Sequence, residues 1–134
     1  MNLSGLRIVV TGAAGFIGSH LSDRLAEDNE LVLVDDFSVG HRSNLAQLEG
    51  HSDIEIVEAD VCDRERMRAL CSGADVVFHL ACSCLRTSLG NPFESHDVNG
   101  GGTLSVCLAA HDAGVSRLVY VSSSEIYGSA QTVP

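Results

Sequence analysis

The sequence predicts an α/β fold, a doubly wound parallel sheet, from three observations. An apolar run at 7–11 leads into a glycine turn and then into a segment with helical periodicity. Strand and helix patterns alternate along the rest of the chain. The apolar runs are continuous rather than alternating, as in Val76-Val77-Phe78, which is typical of parallel strands covered on both faces.

The predicted elements follow this alternation. Right-handed crossovers between successive strands predict an open sheet with the strand order 3-2-1-4-5. The carboxyl ends of strands 1 and 4 then form the switch point beside which such sheets bind ligands. The predicted strands are 7–11, 30–35, 54–58, 75–80 and 117–122; the predicted helices are 16–27, 64–71 and 94–113, with a short helical turn at 43–49.

The turn after the first strand has the glycine spacing of a dinucleotide-binding loop, TGAAGFIG at 11–18. Gly12 would let the backbone turn sharply off the strand, and Gly15 would let it approach a pyrophosphate. Gly18 would let the helix pack closely on the sheet. A helix that begins near Gly15 presents free N–H groups and the positive end of its dipole, so phosphates could bind there without a lysine.

An acidic residue ends the second strand, near the distance that a dinucleotide fold requires. Asp35 lies 17 residues beyond Gly18. It would accept hydrogen bonds from the adenosine ribose and repel a 2′-phosphate, which favours NAD over NADP, although Arg42 lies near enough in sequence to reduce that preference. The alternative is a glycine-rich turn beside an ordinary solvated aspartate. The order of strand, turn, helix, strand and acid favours the cofactor.

Length and composition allow one domain, and with the glycine turn we expect an NAD-binding domain over 1–134. The chain has 134 residues, 45% of them hydrophobic, which is enough to bury a core. No segment is long and apolar enough to span a membrane, and residues 1–5 are too few for a signal peptide, so we expect a cytoplasmic protein. The five cysteines are odd in number and scattered, which favours reduced thiols over a disulfide framework.

Charge and cysteine spacing narrow the possible partners. The chain has 18 acidic residues, eight arginines and no lysine, for a net charge of −10, so nucleic acid is not an expected partner. Cys82-Ser83-Cys84 could be a metal or redox pair. Because no second Cys/His pair has zinc-site spacing, we predict no metal and expect buried or cleft-lining thiols.

Further motifs follow the later strands, and in combination they are specific. They are DV at 60–61, HLAC at 79–82, NGGGT at 99–103 and SSSEIYG at 122–128. With the glycine turn, they resemble the extended short-chain dehydrogenase/reductase family, specifically its NAD-dependent nucleotide-sugar epimerases and dehydratases, such as UDP-glucose 4-epimerases. The resemblance covers the whole chain and implies a Rossmann-type fold.

The resemblance also implies roles for particular residues. Aspartates would bind the adenosine, the HLAC segment would line the path to the nicotinamide ribose, and Asn99 would sit in its helix behind the cofactor, with Gly102 allowing close packing. Ser123 would hydrogen-bond the 4-oxygen of the sugar, and Glu125 would be a second catalytic candidate. The implied cofactor-binding residues are Gly12, Gly15, Phe16, Ile17, Gly18, Asp35, Asp36, Asp60, Val61, Leu80, Ala81, Cys82 and Asn99.

Several of these residues have a purely structural alternative. Asp60 could cap the amino end of the helix predicted at 64–71, although Asp63 fits that position better. His79 is expected to be a packed strand-end histidine that satisfies a backbone group rather than a catalyst. Ser123 and its two serine neighbours could be ordinary strand-end hydroxyls.

Tyr127 does not supply the acid and base of the family reaction. That chemistry needs a tyrosine followed four residues later by a lysine, which lowers the tyrosine pKa. Gln131 occupies that position here. In the family, the YG pair marks the end of strand 5, and the catalytic pair follows later. We therefore expect the cofactor half of a larger enzyme, truncated before the later strands, inactive alone, with an exposed strand 5 and a tendency to form homodimers or self-associate.

The resemblance leaves two reactions open for the complete enzyme, both starting with oxidation at C4 of a nucleotide-sugar substrate. Glu125 matches the glutamate that dehydratases and decarboxylases often have two residues before this tyrosine, whereas Ser124 stands where dehydratases usually have an aspartate. The loop 34–40 places a 4-epimerase slightly ahead of a 4,6-dehydratase. A different class also stays open: a non-catalytic NAD or nucleotide sensor, or a subunit that needs a partner.

Overall fold

The computed structural model describes residues 3–129 and 132, and a five-stranded parallel sheet forms its centre. The strand order is β3-β2-β1-β4-β5, so the predicted order is confirmed. Each strand pairs in parallel with its neighbours. The strands are β1 (Arg7–Thr11), β2 (Glu30–Asp35), β3 (Ile54–Glu58), β4 (Val76–His79) and β5 (Arg117–Tyr120).

The helices connect the strands and cover both faces of the sheet. Two short 3-10 helices at Arg42–Leu48 and Ser124–Tyr127 accompany them. The α-helices are α1 (Phe16–Leu25), α2 (Arg64–Cys71), α3 (Leu85–Gly90), α4 (Pro92–His96) and α5 (Thr103–Asp112), with a π-helical segment at Asp97–Gly102 between α4 and α5.

The structure differs from the sequence prediction around the fourth helix. Helix α3 was not predicted, and α4 begins at Pro92 rather than at 94, because proline suits the first helical turn and the side chain of Asn91 accepts a hydrogen bond from the Glu94 N–H. Strands β4 and β5 are also shorter than predicted. The π-helical segment contains three glycines, and the Ser105 hydroxyl donates to the Gly101 carbonyl oxygen at 3.0 Å.

The core lies on both faces of the sheet, which accounts for the continuous apolar runs. On one face, Val9 and Val77 pack with residues of α2 and α5, such as Met67 and Val106. On the other face, Ile8 packs with residues of α1 and the 42–48 helix. Successive side chains of a strand point to opposite faces, so a doubly covered strand must be apolar at every position.

Strand β5 lies at one edge of the sheet and is the least covered strand. Its Tyr120 is 51% exposed, and Tyr127 in the following 3-10 helix is 84% exposed. None of the helices in the described part of the chain combines the length and hydrophobicity needed to cross a bilayer.

Candidate functional site

A cavity of about 460 Å³ lies beyond the carboxyl ends of the strands, beside the glycine turn. This is where the sheet order predicts ligand binding. The structure brings nine of the sequence-predicted cofactor residues together in its lining: Gly12, Gly15, Asp35, Asp36, Asp60, Val61, Leu80, Ala81 and Cys82. Phe16, Ile17, Gly18 and Asn99 lie outside the lining.

The glycine turn is packed so tightly that two of its positions exclude a side chain. Gly12 has a φ of +70°, and a Cβ there would lie 2.6 Å from the backbone nitrogen of Ala81. A Cβ on Gly18 would overlap the carbonyl oxygen of Gly12. A Cβ on Gly15 would meet only that same oxygen, at 3.3 Å, so the surface above Gly15 is open. The turn is therefore closed towards the sheet and open towards the cavity.

Helix α1 begins directly after Gly15, as predicted. Gly15 is its N-cap and makes no side-chain cap, so the first N–H groups of α1 are left for a ligand or solvent. The side chains of Phe16 and Ile17 are 80% and 61% exposed. Only the backbone of these two residues is therefore in a position to serve an anion in the cavity.

Asp35 has a structural role that sequence reasoning missed. Its carboxylate is buried, and its two oxygens accept hydrogen bonds from the backbone N–H groups of Ala14 at 2.8 Å and Phe37 at 2.9 Å. A Cβ on Gly40 would lie 2.9 Å from the same carboxylate. Asp35 thus joins the glycine turn to the end of β2, in addition to lining the cavity.

Asp36 and Asp60 are exposed carboxylates that each engage one oxygen in a local turn. One oxygen of Asp36 accepts hydrogen bonds from the N–H and hydroxyl of Ser38, at 3.0 and 2.7 Å. One oxygen of Asp60 accepts from the Cys62 N–H at 2.8 Å. Asp63, not Asp60, caps α2 by accepting from the Arg66 N–H at 3.0 Å, which confirms the preferred assignment of the cap.

Arg42 does not line the cavity and contacts Phe37 and Glu49 instead. Its guanidinium lies 4.9 Å from the centre of the Phe37 ring and 3.7 Å from the Glu49 carboxylate. Phe37 itself has a φ of 56°. No arginine is among the lining residues of the cavity in the described part of the chain, so an anion bound there would depend on the free N–H groups and the dipole at the amino end of α1.

His79 is fully buried and connects two strands with a helix. Its Nδ1 lies 2.6 Å from the Thr11 hydroxyl and its Nε2 lies 3.0 Å from the Thr103 hydroxyl, while its ring stacks on Tyr120. Burial lowers the pKa of His79 from 6.5 to about 4, so the imidazole is neutral near pH 7. His79 is a packed histidine, as expected, but its partners are hydroxyl groups and not the expected backbone group.

Asn99 fixes the loop that follows β4. Its side-chain oxygen accepts from the Ser83 N–H at 2.8 Å, and its side-chain nitrogen donates to the Ser83 carbonyl at 2.9 Å. Gly102 allows the helix to approach, because a Cβ there would lie 2.6 Å from the Val61 side chain. Asn99 therefore acts on the cavity through Ser83, although its own side chain does not line it.

We expect Asn99→Ala to release the Ser83 backbone. Removing both hydrogen bonds should speed hydrogen exchange of the Ser83 amide at least about tenfold, the effect of roughly 1.4 kcal/mol, within the usual worth of one or two hydrogen bonds. Amide exchange measured by NMR checks this. The Leu80 amide, which donates to the Thr11 carbonyl at 3.1 Å, should stay protected, and equal protection of Ser83 in both proteins would contradict the assignment.

The two predicted catalytic residues lie outside the cavity lining. The Ser123 oxygen accepts from the Glu125 N–H at 3.1 Å and starts the short 3-10 helix, and both side chains are exposed. Glu125 is close enough to contribute to the raised pKa of the Cys82 thiol, after burial and Cys84. Gln131, used in the sequence argument on Tyr127, lies outside the described residues.

The arrangement defines a class of protein. A parallel sheet of order 3-2-1-4-5, a glycine turn at its switch point and an aspartate ending β2 are the features of a Rossmann-type dinucleotide-binding domain. Within residues 3–129 and 132, no group of three or more His, Cys, Asp or Glu side chains could hold a metal ion.

The family follows from comparison with known proteins. The family model described as "NAD dependent epimerase/dehydratase family" matches residues 8–134, and the chain belongs to this family. The resemblance drawn from the motifs is thereby confirmed.

Similar proteins include enzymes with different reactions. A UDP-glucose 4-epimerase from Mycolicibacterium smegmatis is 39% identical over 96% of this chain and 42% of its own length. A UDP-glucuronic acid decarboxylase from Arabidopsis thaliana is 38% identical over 93% of this chain and 36% of its own length. The chain thus spans about two fifths of the length of the curated relatives it matches.

Solved structures of nucleotide-sugar epimerases and dehydratases are also similar to this chain. A UDP-N-acetylglucosamine 4-epimerase from Methanobrevibacter ruminantium has a TM-score of 0.90 at 30% identity, covering 98% of this chain and 42% of that one. A dTDP-glucose 4,6-dehydratase from Streptomyces venezuelae, solved with NAD bound, has a TM-score of 0.89 at 32% identity, covering 96% and 42%. NAD is the cofactor of the family.

Proposed function

We propose that this chain is the NAD-binding part of a nucleotide-sugar 4-epimerase or 4,6-dehydratase that acts through transient oxidation at C4. The observation that carries the proposal is the cavity at the switch point. It combines an open glycine turn, the uncapped amino end of α1 and three aspartates in one lining. Each of these groups fits one part of a dinucleotide.

The lining fits NAD on physical grounds. The open surface above Gly15 leaves room for a pyrophosphate, and the first N–H groups of α1 are suitable donors to it. Asp36 and Asp60 each have one carboxylate oxygen engaged in a local turn, which leaves the other to accept hydrogen bonds from adenosine. With Arg42 held by Phe37 and Glu49, a 2′-phosphate would meet carboxylates without a compensating cation, which favours NAD over NADP.

The residues of this chain would mainly bind and orient the cofactor and the sugar, and would contribute less to the catalytic proton transfers. When bound, NAD would accept a hydride from the sugar and return it. Ser123 would donate its hydroxyl hydrogen to the 4-oxygen of the sugar, since its oxygen already accepts from the Glu125 N–H. Neutral His79 would keep Thr11 and the loop after β4 in place from behind the cavity.

The kind of reaction is proposed from the residues after β5. Glu125 fits a dehydratase or decarboxylase, whereas Ser124 removes one member of the dehydratase acid/base pair, so we place 4-epimerase slightly ahead. Similarity to both 4-epimerases and a 4,6-dehydratase supports the joint assignment. The substrate would be a nucleotide-linked hexose in either case.

We further propose that turnover needs residues beyond those of this chain. A chain without lysine cannot form the tyrosine-lysine pair of the family reaction. The exposed edge of strand β5 could pair with a further segment of the polypeptide or with a second copy of this chain. A separately produced carboxyl-terminal half should restore turnover. NAD binding without any turnover in that mixture would favour the sensor or partner-dependent subunit instead.

Calorimetric titration of the chain with NAD and with NADP tests the cofactor. We expect NAD to bind and NADP to bind at least about tenfold more weakly, since one uncompensated charge contact is worth on the order of 1 to 3 kcal/mol. Asp36→Asn keeps the side-chain oxygen that Ser38 uses but removes the charge. It should weaken NAD binding several-fold and narrow the difference between the two cofactors.

Asp63→Asn is the matched control for this titration. It makes the same chemical change at an exposed aspartate outside the cavity and keeps the oxygen that caps α2. Its NAD affinity should equal that of the unchanged chain. Asp35→Ala is less informative, because it also removes two hydrogen bonds of the turn. A folded chain that binds neither dinucleotide would refute the proposed function.

A further inference from the structure

We propose that Cys82 and Cys84 form a redox pair in the wall of the cofactor cavity, and that their oxidation by a hydroperoxide to a disulfide weakens NAD binding. This inference rests on the proposed NAD site and adds a means of regulating it. Both thiols line the cavity. The other three cysteines do not.

The geometry allows the two thiols to meet. Only Ser83 separates them, so their Cα atoms lie at most about 7 Å apart. This is close to the Cα–Cα distance of about 6.8 Å that a disulfide can bridge. The Cys84 backbone is extended, with φ −73° and ψ 160°, and the Cys84 thiol is near enough to Cys82 for its charge to raise the Cys82 pKa. Both cysteines are free and exposed.

The surroundings give the two thiols different roles. The Cys84 sulfur lies 3.7 Å from the Thr87 hydroxyl, and the Thr87 N–H, followed by that hydroxyl, lowers the pKa of the Cys84 thiol. Burial raises the pKa of the Cys82 thiol, and the neighbouring Cys84 and Glu125 charges add to this. Cys84 is therefore the thiolate that attacks an oxidant, and Cys82 is the thiol that follows.

The chemistry balances with one hydroperoxide. The Cys84 thiolate attacks one peroxide oxygen and the O–O bond breaks; with hydrogen peroxide, the leaving hydroxide takes a proton and leaves as water. Cys84 is then a sulfenic acid. The Cys82 sulfur attacks the Cys84 sulfur, the S–O bond breaks and a second water leaves. Two thiols are oxidised to one disulfide while one peroxide is reduced to two waters.

The disulfide would reach the glycine turn through the backbone. Bringing the two sulfurs together changes the backbone at Ser83, which Asn99 holds at both its N–H and its carbonyl. Ala81, the residue before Cys82, packs directly on Gly12. A Cβ on Gly12 would lie 2.6 Å from the backbone nitrogen of Ala81. Rearranging this loop therefore disturbs the turn that faces the phosphates. By linkage, bound NAD should in turn disfavour the disulfide at equilibrium by the same factor.

The test compares the reduced chain with the chain treated with hydrogen peroxide. Peptide mass mapping should show the loss of two hydrogens within one peptide that contains Cys82 and Cys84, and the loss of two of the five free thiols. Calorimetry should show NAD binding roughly tenfold weaker after oxidation, restored by dithiothreitol. In a redox buffer of reduced and oxidised dithiothreitol, saturating NAD should shift the equilibrium from the disulfide to the two thiols by the same factor.

Variants assign the effect. Cys82→Ser and Cys84→Ser should each abolish the disulfide and the peroxide sensitivity of NAD binding. Cys107→Ser, which removes an exposed cysteine on α5 outside the cavity, should leave both unchanged. Disulfides only between chains, oxidation that stops at sulfenic or sulfinic acid, or a disulfide that leaves NAD affinity unchanged would each overturn the inference. If the reduced chain binds no NAD, the proposed function fails first, before any oxidant is added, and the regulation fails with it.

Discussion

Gly18→Ala should abolish the native glycine turn, and NAD binding with it. A Cβ at this position overlaps the Gly12 carbonyl oxygen and would lie 2.9 Å from the Ala13 Cα. Both are backbone atoms of a buried turn, so no side-chain rotation relieves the overlap. Ordinary overpacking costs about 1 to 3 kcal/mol, and we expect a loss at or above the upper end of this range. Urea denaturation and NAD calorimetry measure the two effects.

Gly101→Ala is the matched control. It makes the same substitution at a helical glycine where an added Cβ meets no atom within 4 Å. Because alanine favours helix over glycine by roughly 1 kcal/mol, this variant should be as stable as the unchanged chain or more so. If Gly18→Ala retained full stability and NAD affinity, the close packing of α1 on the turn would be incorrect.

The fold should lose stability as the pH falls from 6.5 to about 4, and His79 should account for much of the loss. Burial lowers the folded-state pKa of His79 to about 4, while the unfolded chain takes up the proton near 6.5. The unfolded state therefore binds more protons in this window, so the contribution is fully present above pH 6.5 and disappears on acidification. Its size is about 3 kcal/mol.

His79→Gln should flatten this dependence. Glutamine does not titrate and its amide can still bond a threonine hydroxyl, so its free energy of unfolding should vary less between pH 7 and pH 4, whatever its value at pH 7. Urea denaturation at several pH values provides the comparison. His111→Gln, on an exposed position of α5, should follow the unchanged chain. Parallel curves for His79→Gln and the unchanged chain would show that His79 stays neutral in both states or charges in both.

The sheet was predictable because its signals are local and repeated. Continuous apolar runs, as in β1, β2 and β4, indicate doubly covered parallel strands, and the right-handed crossover rule then predicts the order. The helical region at 92–112 was harder. Its NGGG sequence predicts a poor helix, and the structure accommodates it as a π-helical segment that neither propensity nor 3.6-residue periodicity specifies.

The candidate site was predictable in its members but not in their partners. The glycine spacing and the aspartate at the end of β2 are properties of short segments, so they can be read along the chain. The contacts of Asn99 with Ser83 and of His79 with Thr103 join residues 16 and 24 positions apart. The hydrogen bond that Asp35 accepts from the Ala14 N–H depends on how β1 and β2 align, which composition does not reveal.

The uncapped amino end of α1 also separates two demands on this chain. Its positive potential comes from peptide dipoles, which carry no ionisable proton and belong to no side chain. Neither acidification nor the replacement of charged surface residues alters that potential at its source. A protein of this kind can have a net charge of −10, which favours solubility, and still bind an anion at the amino end of α1. A change in surface charge and a change in the potential at the glycine turn are therefore physically independent.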